Sequence, residues 1–324
     1  MKTITFLPLA AESMGTRSMC TFIETPDVRL LVDPGVALSR RWGLLPHPRE
    51  YQALAASRQR IAAFADRSEV VAISHYHFDH CTPSFTDHAW TFSSLPVAEQ
   101  LFHGKIVLAK DYRNNVNPSQ RRRGWLLRKI VGGGFKEYHV ADGNAFTFGD
   151  TVITFSPPVF HGEENTPLGW VVMTRVDVEG ERVMHASDVQ GPMLDATVNL
   201  ILAARPDLLY LAGPPLYLVD YKVERQSIKT GLQNLATLAE AIPTVIVDHH
   251  LLRDEAWKRA SKHVIEAAWS HGNRVLTAAE YLGKETTLLE AQRRDLYAAE
   301  PPSPAFLTWT RLPRETQRTT MPPL

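Results

Sequence analysis

Cysteine is almost absent from the 324 residues. Cys20 and Cys81 allow one bridge at most, which excludes a disulfide-stapled scaffold. Neither sign of charge is in excess: 35 Lys and Arg stand against 35 Asp and Glu, so net charge gives no whole-chain argument for a nucleic-acid or membrane partner. No run of about 18 apolar residues occurs, and the opening MKTITFLPLAAESMG alternates like a strand rather than reading as a leader peptide. A cytoplasmic protein with no membrane partner is the expectation. A G-x-S-x-G elbow, a Walker loop and a G-x-G-x-x-G turn are also missing, and Gly132-Gly133-Gly134 lacks their flanks and reads as a hinge or loop. What the chain does have is 44% hydrophobic residues, enough for a substantial core, and 13 histidines whose placement is uneven.

Hydrophobic patterning predicts strands over 3–9, 18–24, 29–33, 69–74, 105–109, 151–156, 170–176, 183–186, 208–212 and 244–247. Helical periodicity is expected over 48–67, 225–241 and 255–270. Early strands come as hairpin-like pairs and later ones alternate with helices, which suggests stacked sheets flanked by helices rather than one parallel sheet. The tail from residue 301, rich in Pro and Thr, lacks periodicity and reads as an arm or loose end.

The stretch Ser74-His75-Tyr76-His77-Phe78-Asp79-His80 carries the most chemistry. In extended backbone, residues two apart project to the same side, so His75 and His77 can reach one ion. A turn after them brings Asp79 and His80 to a neighbouring position. Imidazole nitrogen and carboxylate oxygen suit zinc, and also manganese or iron. The bland alternative, a solvated His-rich loop, fits poorly with the buried strand VVAIS that delivers the cluster.

One loop cannot complete a two-metal site. Three further places put a ligand type just after a predicted strand, where loops converge at a sheet edge: His161 in PPVFHGEE, Asp188 in HASDVQG, and His249 and His250 in TVIVDHHLLRD. Asp33 closes the strand RLLVD. The pattern resembles the metallo-β-lactamase superfamily, whose five motifs run Asp, His-x-His-x-Asp-His, His, Asp, His. Asp33 matches the first, His75, His77, Asp79 and His80 the second, His161 the third, Asp188 the fourth, and His249 or His250 the fifth. The phrases AESMGTRSMCTF, DPGVAL, SHYHFDHCTP, ASDVQGP, AGPP and DHHLLRD resemble an uncharacterised group of prokaryotic metallo-hydrolases in that superfamily.

The resemblance implies an α/β chain folded as a four-layer αββα sandwich over residues 1–285, with 286–324 as a C-terminal extension or arm. It also implies that His75, His77 and His161 hold one metal, that Asp79, His80 and the late histidine hold a second, and that Asp188 bridges both. Asp33 would orient the cluster from behind. A ribonuclease Z-like alignment of DHHLLRD makes His249 the late ligand, and a lactamase-like Pro-Gly-His alignment makes it His250.

Two divalent cations, zinc or else manganese or iron, can ionise a shared water near neutral pH. The expected activity is hydrolysis by a hydroxide bridged between two metal ions, with Asp79 and His80 as the catalytic pair and Asp79 also accepting a proton. A phosphodiester substrate, nucleic acid included, is favoured by Arg113, Arg122 and Arg123, together with Arg121, Arg128, Lys129, Tyr112 and Trp125. A solvated basic helix face gives the same pattern. One alternative is an esterase, lactonase or thioesterase acting on a small carbonyl substrate within the aromatic neighbourhood of Trp42, Tyr76, Phe78 and Tyr217. Another is a metal-binding protein without catalysis. A homo-oligomer is compatible with any of these. Leu211-Ala212-Gly213-Pro214-Pro215 stands where tRNA-processing relatives carry His-Glu-Ala-Thr, and His77 stands where flavodiiron relatives carry Glu. His88, His103, His139, His185, His263, His271 and Cys81 read as surface or packing residues, with His185 also placed to support a ligand from behind, and Asp248 either supports a neighbouring histidine or simply ends its strand.

Overall fold

The computed structural model describes residues 2–324. The first sheet contains β1 (Thr5–Pro8), β2 (Thr21–Glu24), β3 (Arg29–Val32), β4 (Val70–Ile73), β5 (Ile106–Ala109) and β6 (Glu137–Val140), ordered as in the sequence. Its first pairings are antiparallel; from β3 onward they are parallel. Parallel neighbours need crossovers, and α1 (Pro48–Ala65), α2 (Leu95–Phe102) and α3 (Pro118–Val131) supply them. The second half adds β7 (Ala145–Phe148), β8 (Thr151–Phe155), the short pair β9 (Val159–Phe160) and β10 (Trp170–Val171), and β11 (Thr174–Val178). It continues with β12 (Glu181–Ser187), β13 (Leu208–Ala212), β14 (Thr244–Asp248) and β15 (Arg274–Leu276). The second sheet runs β15-β14-β13-β12-β11-β8-β7. Its crossovers are α4 (Asp195–Ala204), α5 (Arg225–Ala241), and α6 (Trp257–Ala260) followed by α7 (Lys262–Ser270).

Strand alternation sorts the apolar side chains into three layers of core. Val70 and Ala72 of β4, and Leu208, Tyr210 and Ala212 of β13, meet between the two sheets. Val71 and Ile73 face the opposite way, onto α1–α3, and Leu209 and Leu211 face α4 and α5. Strands buried on both faces read as unbroken apolar runs, which is why VVAI and LLYLA stand out in the sequence. The result is the αββα sandwich that the resemblance implies.

Local departures have identifiable causes. The strand expected over 170–176 is interrupted after Val171, because the Val172 amide leaves its own sheet and donates to the Ser74 carbonyl at 3.1 Å. The helix expected over 255–270 divides at Ser261, whose hydroxyl turns back onto the Trp257 carbonyl at 2.6 Å. Gly132–Gly134 forms a single 3-10 turn. The segment 286–324, expected as an arm, carries helices at Arg293–Ala299, Pro304–Trp309 and Arg314–Thr319. Phe306 and Trp309 are buried in the layer beneath the first sheet, with rings 5.9 and 5.7 Å from Tyr51.

Candidate metal centre

The candidate ligands leave strand ends at one edge of the sandwich. Asp33 follows β3, His75 follows β4, His161 follows β9, Asp188 follows β12 and His249 follows β14. Asp33, Ser187 and His249 adopt φ of 48°, 55° and 61°. Left-handed backbone is costly for such residues and tends to persist where the surroundings fix it at a site. Here it turns each chain sharply out of its strand.

The loops bring four overlapping groups together: His75, His77, His161 and Asp188; Asp33, His75 and His80; Asp79, His80 and His249; and Asp188, His249 and His250. Within each group the ligand atoms lie within 4.8 Å of one another. Asp188 Oδ2 is the hub, at 2.8 Å from His161 Nε2, 3.1 Å from His250 Nε2, 3.6 Å from His249 Nε2 and 3.7 Å from His80 Nε2. Asp79 Oδ2 lies 3.5 Å from His249 Nε2. Both late histidines reach the centre, His249 beside Asp79 and His80, His250 beside Asp188.

Two buried polar atoms at this focus, His80 Nε2 and Asp188 Oδ1, have no hydrogen-bond partner. Buried polar groups are nearly always satisfied, so unpaired ligand atoms within a few ångströms of one another fit a metal ion. The chemistry of the set, imidazole with carboxylate, fits divalent zinc, manganese or iron. Protonation states agree. Burial, reinforced by the neighbouring imidazoles, pushes His75 well below its usual range and His77 down to about 3, so both are neutral. Burial opposes ionisation of Asp79 and Asp188, but the surrounding histidines outweigh it and hold both carboxyls well below the usual range. Burial and Arg253 act to lower His249, yet Asp188 and Asp79 carry it up to about 9. A divalent cation would take over the charge that this proton supplies.

A buried frame holds these groups. Asp33 Oδ2 accepts from His80 Nδ1 at 2.9 Å, Ser74 Oγ at 2.6 Å and Ser187 Oγ at 3.0 Å, while Oδ1 accepts from the Ser74 amide at 2.8 Å. Gln120 of α3 accepts from the Tyr76 amide at 3.0 Å and sits 3.4 Å from His77 Nε2. Asp248 accepts from the amides of His249, Ser13 and Ala278, fixing the turn that carries both late histidines. Arg253 lies behind them, within 3.2 Å of ring nitrogens of each, and donates to Glu12 at 2.8 Å and to Tyr217 Oη at 3.0 Å.

Two cavities open on the centre. One of about 520 Å³ is lined by Asp79, His161, Asp188, Gln190, Tyr217 and His250. The other, about 770 Å³, shares Arg17, His77 and Asp79 with the first and adds Phe78 and Arg123. Arg113 and Arg122 line a separate groove with Tyr112, Pro118, Arg121 and Trp125. Of the four aromatics expected around a carbonyl substrate, Phe78 and Tyr217 line these cavities. Tyr76 is buried with its hydroxyl on the Lys110 carbonyl, and Trp42 lies under Arg41 and Arg294. His185 Nε2 donates to the Met19 carbonyl at 2.8 Å, and its ring packs on Tyr210 rather than on a ligand. Burial pushes the Cys81 thiol up to about 12, and Cys81 belongs to no ligand group.

Sequence reading did not single out Glu12, Arg17, Ser74, Gln120, Ser187, Gln190, Arg253 or Glu290. Glu12, Arg17, Ser74, Ser187, Gln190 and Arg253 lie within the phrases that carry the resemblance, whereas Gln120 and Glu290 lie outside them.

No family model matches the chain. By sequence it is 42% identical over 295 residues to a UPF0282 protein of Methanopyrus kandleri, covering 91% of this chain and 99% of that protein. A UPF0282 protein of Korarchaeum cryptofilum is 37% identical over 297 residues, covering 91% and 95%. Among solved structures it is similar in fold to CmlA, a diiron β-hydroxylase from Streptomyces venezuelae, with 15% identity and a TM-score of 0.51 over 85% of this chain and 52% of that one. The metallo-β-lactamase fold protein YhfI from Bacillus subtilis gives 15% identity and a TM-score of 0.46 over 80% and 88%.

Proposed function

Because the chain belongs to the UPF0282 family, its chemistry has to be read from its own site, and we propose that it is a metal-dependent hydrolase acting on a phosphodiester substrate. The observation that carries this reading is the gathering, in overlapping groups, of histidine and aspartate ligand atoms within 4.8 Å of one another, unpaired His80 Nε2 and Asp188 Oδ1 among them, beside two open cavities. His75, His77 and His161 would hold one divalent ion, and Asp79, His80 and His249 a second, with Asp188 between them and His250 as the alternative late ligand. Bound metal supplies an ionised water near neutral pH and an electrophile for the substrate oxygen.

The protein's own groups do the rest. Asp33 fixes the tautomer of His80 by accepting from its Nδ1. Gln120 and Ser74 hold the loop that presents His75 and His77. Asp79, kept ionised, is placed to accept a proton at the cavity wall. Tyr217, bonded to His250 Nδ1 at 3.1 Å and to Arg253, lines the smaller cavity and holds the His250 ring. Arg123 lines the wider cavity next to His77 and Asp79, where a guanidinium fork suits a phosphate oxygen pair.

Hydrolysis of bis-p-nitrophenyl phosphate against p-nitrophenyl acetate, with and without a chelator, tests the reading. The diester should be cleaved, the chelator should stop cleavage, and added zinc, manganese or iron should restore it. Cleavage of the acetate alone would replace it with the carbonyl-substrate reading. Bound metal with neither activity would leave a metal-binding protein without catalysis.

A further inference from the structure

The wider cavity carries more positive charge than its ion pairs consume. Five arginines line it, Arg17, Arg40, Arg123, Arg314 and Arg318, against the carboxylates of Asp79, Asp87 and Glu315. Two of the five are engaged. Arg17 forks onto Glu290 at 2.6 and 2.5 Å, and Arg318 lies 3.5 Å from Asp87. Among the described residues, the other three have no carboxylate within ion-pair reach. Arg40 donates to the Gly43 carbonyl at 3.1 Å. Arg123 donates to the Tyr76 carbonyl at 3.2 Å and lies 4.1 Å over the Phe78 ring. Arg123 is half-buried beside the centre, and Arg40 and Arg314 stand exposed at the outer rim.

The rim is not a trailing end. Helix Arg314–Thr319 buries Gln317, which donates to the Thr310 carbonyl at 2.8 Å, and the Trp309 indole donates to the Thr320 carbonyl at 3.0 Å. The His88 amide ties the helix to the rest of the groove by donating to the Arg318 carbonyl at 2.8 Å. Unmatched guanidinium groups set along one groove focus potential on whatever anion enters it. Their planar forks match phosphate better than they match a single diffuse charge.

We propose that this groove receives the phosphates that continue beyond the scissile one, so that the substrate is a chain of phosphate groups and the C-terminal helix Arg314–Thr319 is part of its recognition surface. The position of the scissile bond rests on the hydrolase reading; the groove itself does not. Oligonucleotide and inorganic polyphosphate share this chemistry. Trp90 and Phe78, which line the same groove, supply aromatic rings that suit the bases of the former.

Anisotropy of a fluorescein-labelled oligothymidylate on the full-length, metal-loaded protein, taken across a salt series, tests the groove without requiring turnover. Arg40→Glu combined with Arg314→Glu should weaken binding at least tenfold and flatten the salt slope by roughly 0.7 for each phosphate no longer engaged. Both side chains are exposed, so metal content and melting temperature should stay at wild-type values. Lys136→Glu with Lys229→Glu, the same charge reversal outside the groove, should leave binding unchanged. Displacement by unlabelled tripolyphosphate and oligothymidylate alike assigns the phosphate chain alone; displacement by the oligonucleotide only assigns nucleic acid. No binding by the wild type, full binding by the Arg40/Arg314 pair, or equal loss in the lysine pair overturns the proposal. Binding through Arg40 and Arg314 without diester cleavage keeps the groove and removes the hydrolytic reading.

Discussion

A methyl group at Gly35 would overlap the backbone of His80 and Cys81, so the turn after β3 and the ligand loop touch main chain to main chain. Gly35→Ala should cost about 1–3 kcal/mol of stability and lower metal content with it, as read by urea denaturation and metal analysis of the same samples. Asp188→Ala should reduce bound metal by about half or more, since its Oδ2 is the atom that three histidines approach within 3.6 Å; unchanged stoichiometry would remove it from the centre. At this scale, what was legible in the sequence is what is local. His75, His77, Asp79 and His80 announce themselves because strand and turn geometry act over a few residues. The partners of the buried arginines do not, because Arg253 meets Glu12 across 241 residues and Arg17 meets Glu290 across 273, and no periodicity encodes such pairs. His249 against His250 was undecidable for a different reason: a left-handed residue at His249 lets both side chains enter the centre.

Helix α3 shows what a one-dimensional reading of charge misses. Its arginines read as one basic patch, but successive helical residues point about 100° apart. Gln120 and Arg123 therefore face the centre while Arg121, Arg122 and Trp125 line another groove. Arg123→Ala should slow diester hydrolysis about tenfold or more with metal content unchanged, in keeping with loss of a charge-assisted hydrogen bond; loss of metal instead would make it a structural residue. The helices of the terminal segment were missed because each is short and their apolar residues are too few to set a period. Phe306 and Trp309 are nevertheless core residues. Trp309→Ala should cost about 3–5 kcal/mol in denaturant unfolding, whereas a freely trailing arm would lose nothing.

The molecule is also laced end to end by charge. Arg17 and Arg293 hold Glu290 and Glu50 in buried forks. Burial acts to raise Glu290, but Arg17, with Arg253 and Arg293, brings it down to about 2, against an ordinary value of 4.5. A carboxyl lowered by folding stabilises above its unfolded value and loses that contribution as pH falls through the folded one. Stability should therefore decline between pH 4.5 and about 2 more steeply in the wild type than in Glu290→Gln, measured by urea unfolding at stepped pH. Stacked sheets flanked by helices were legible because central strands such as VVAI and LLYLA are buried apolar runs, and the αββα order followed from the resemblance; EYHV, AFTF and RVL at β6, β7 and β15 did not stand out, since none of their residues is buried. The junction between the halves was not legible, since it depends on the Val172 amide crossing to Ser74. The first sheet's loops bring His75, His77, Asp79 and His80, and the second half brings His161, Asp188, His249 and His250. Stripping the metal should lower the melting temperature by the linkage that any ligand of the folded state provides. A chain cut in the turn between β6 and β7 would hand four of these side chains to each fragment, so neither piece alone could assemble a full coordination sphere. Ion uptake by the mixed fragments would then serve as a gauge of whether the two leaves of the sandwich have found each other.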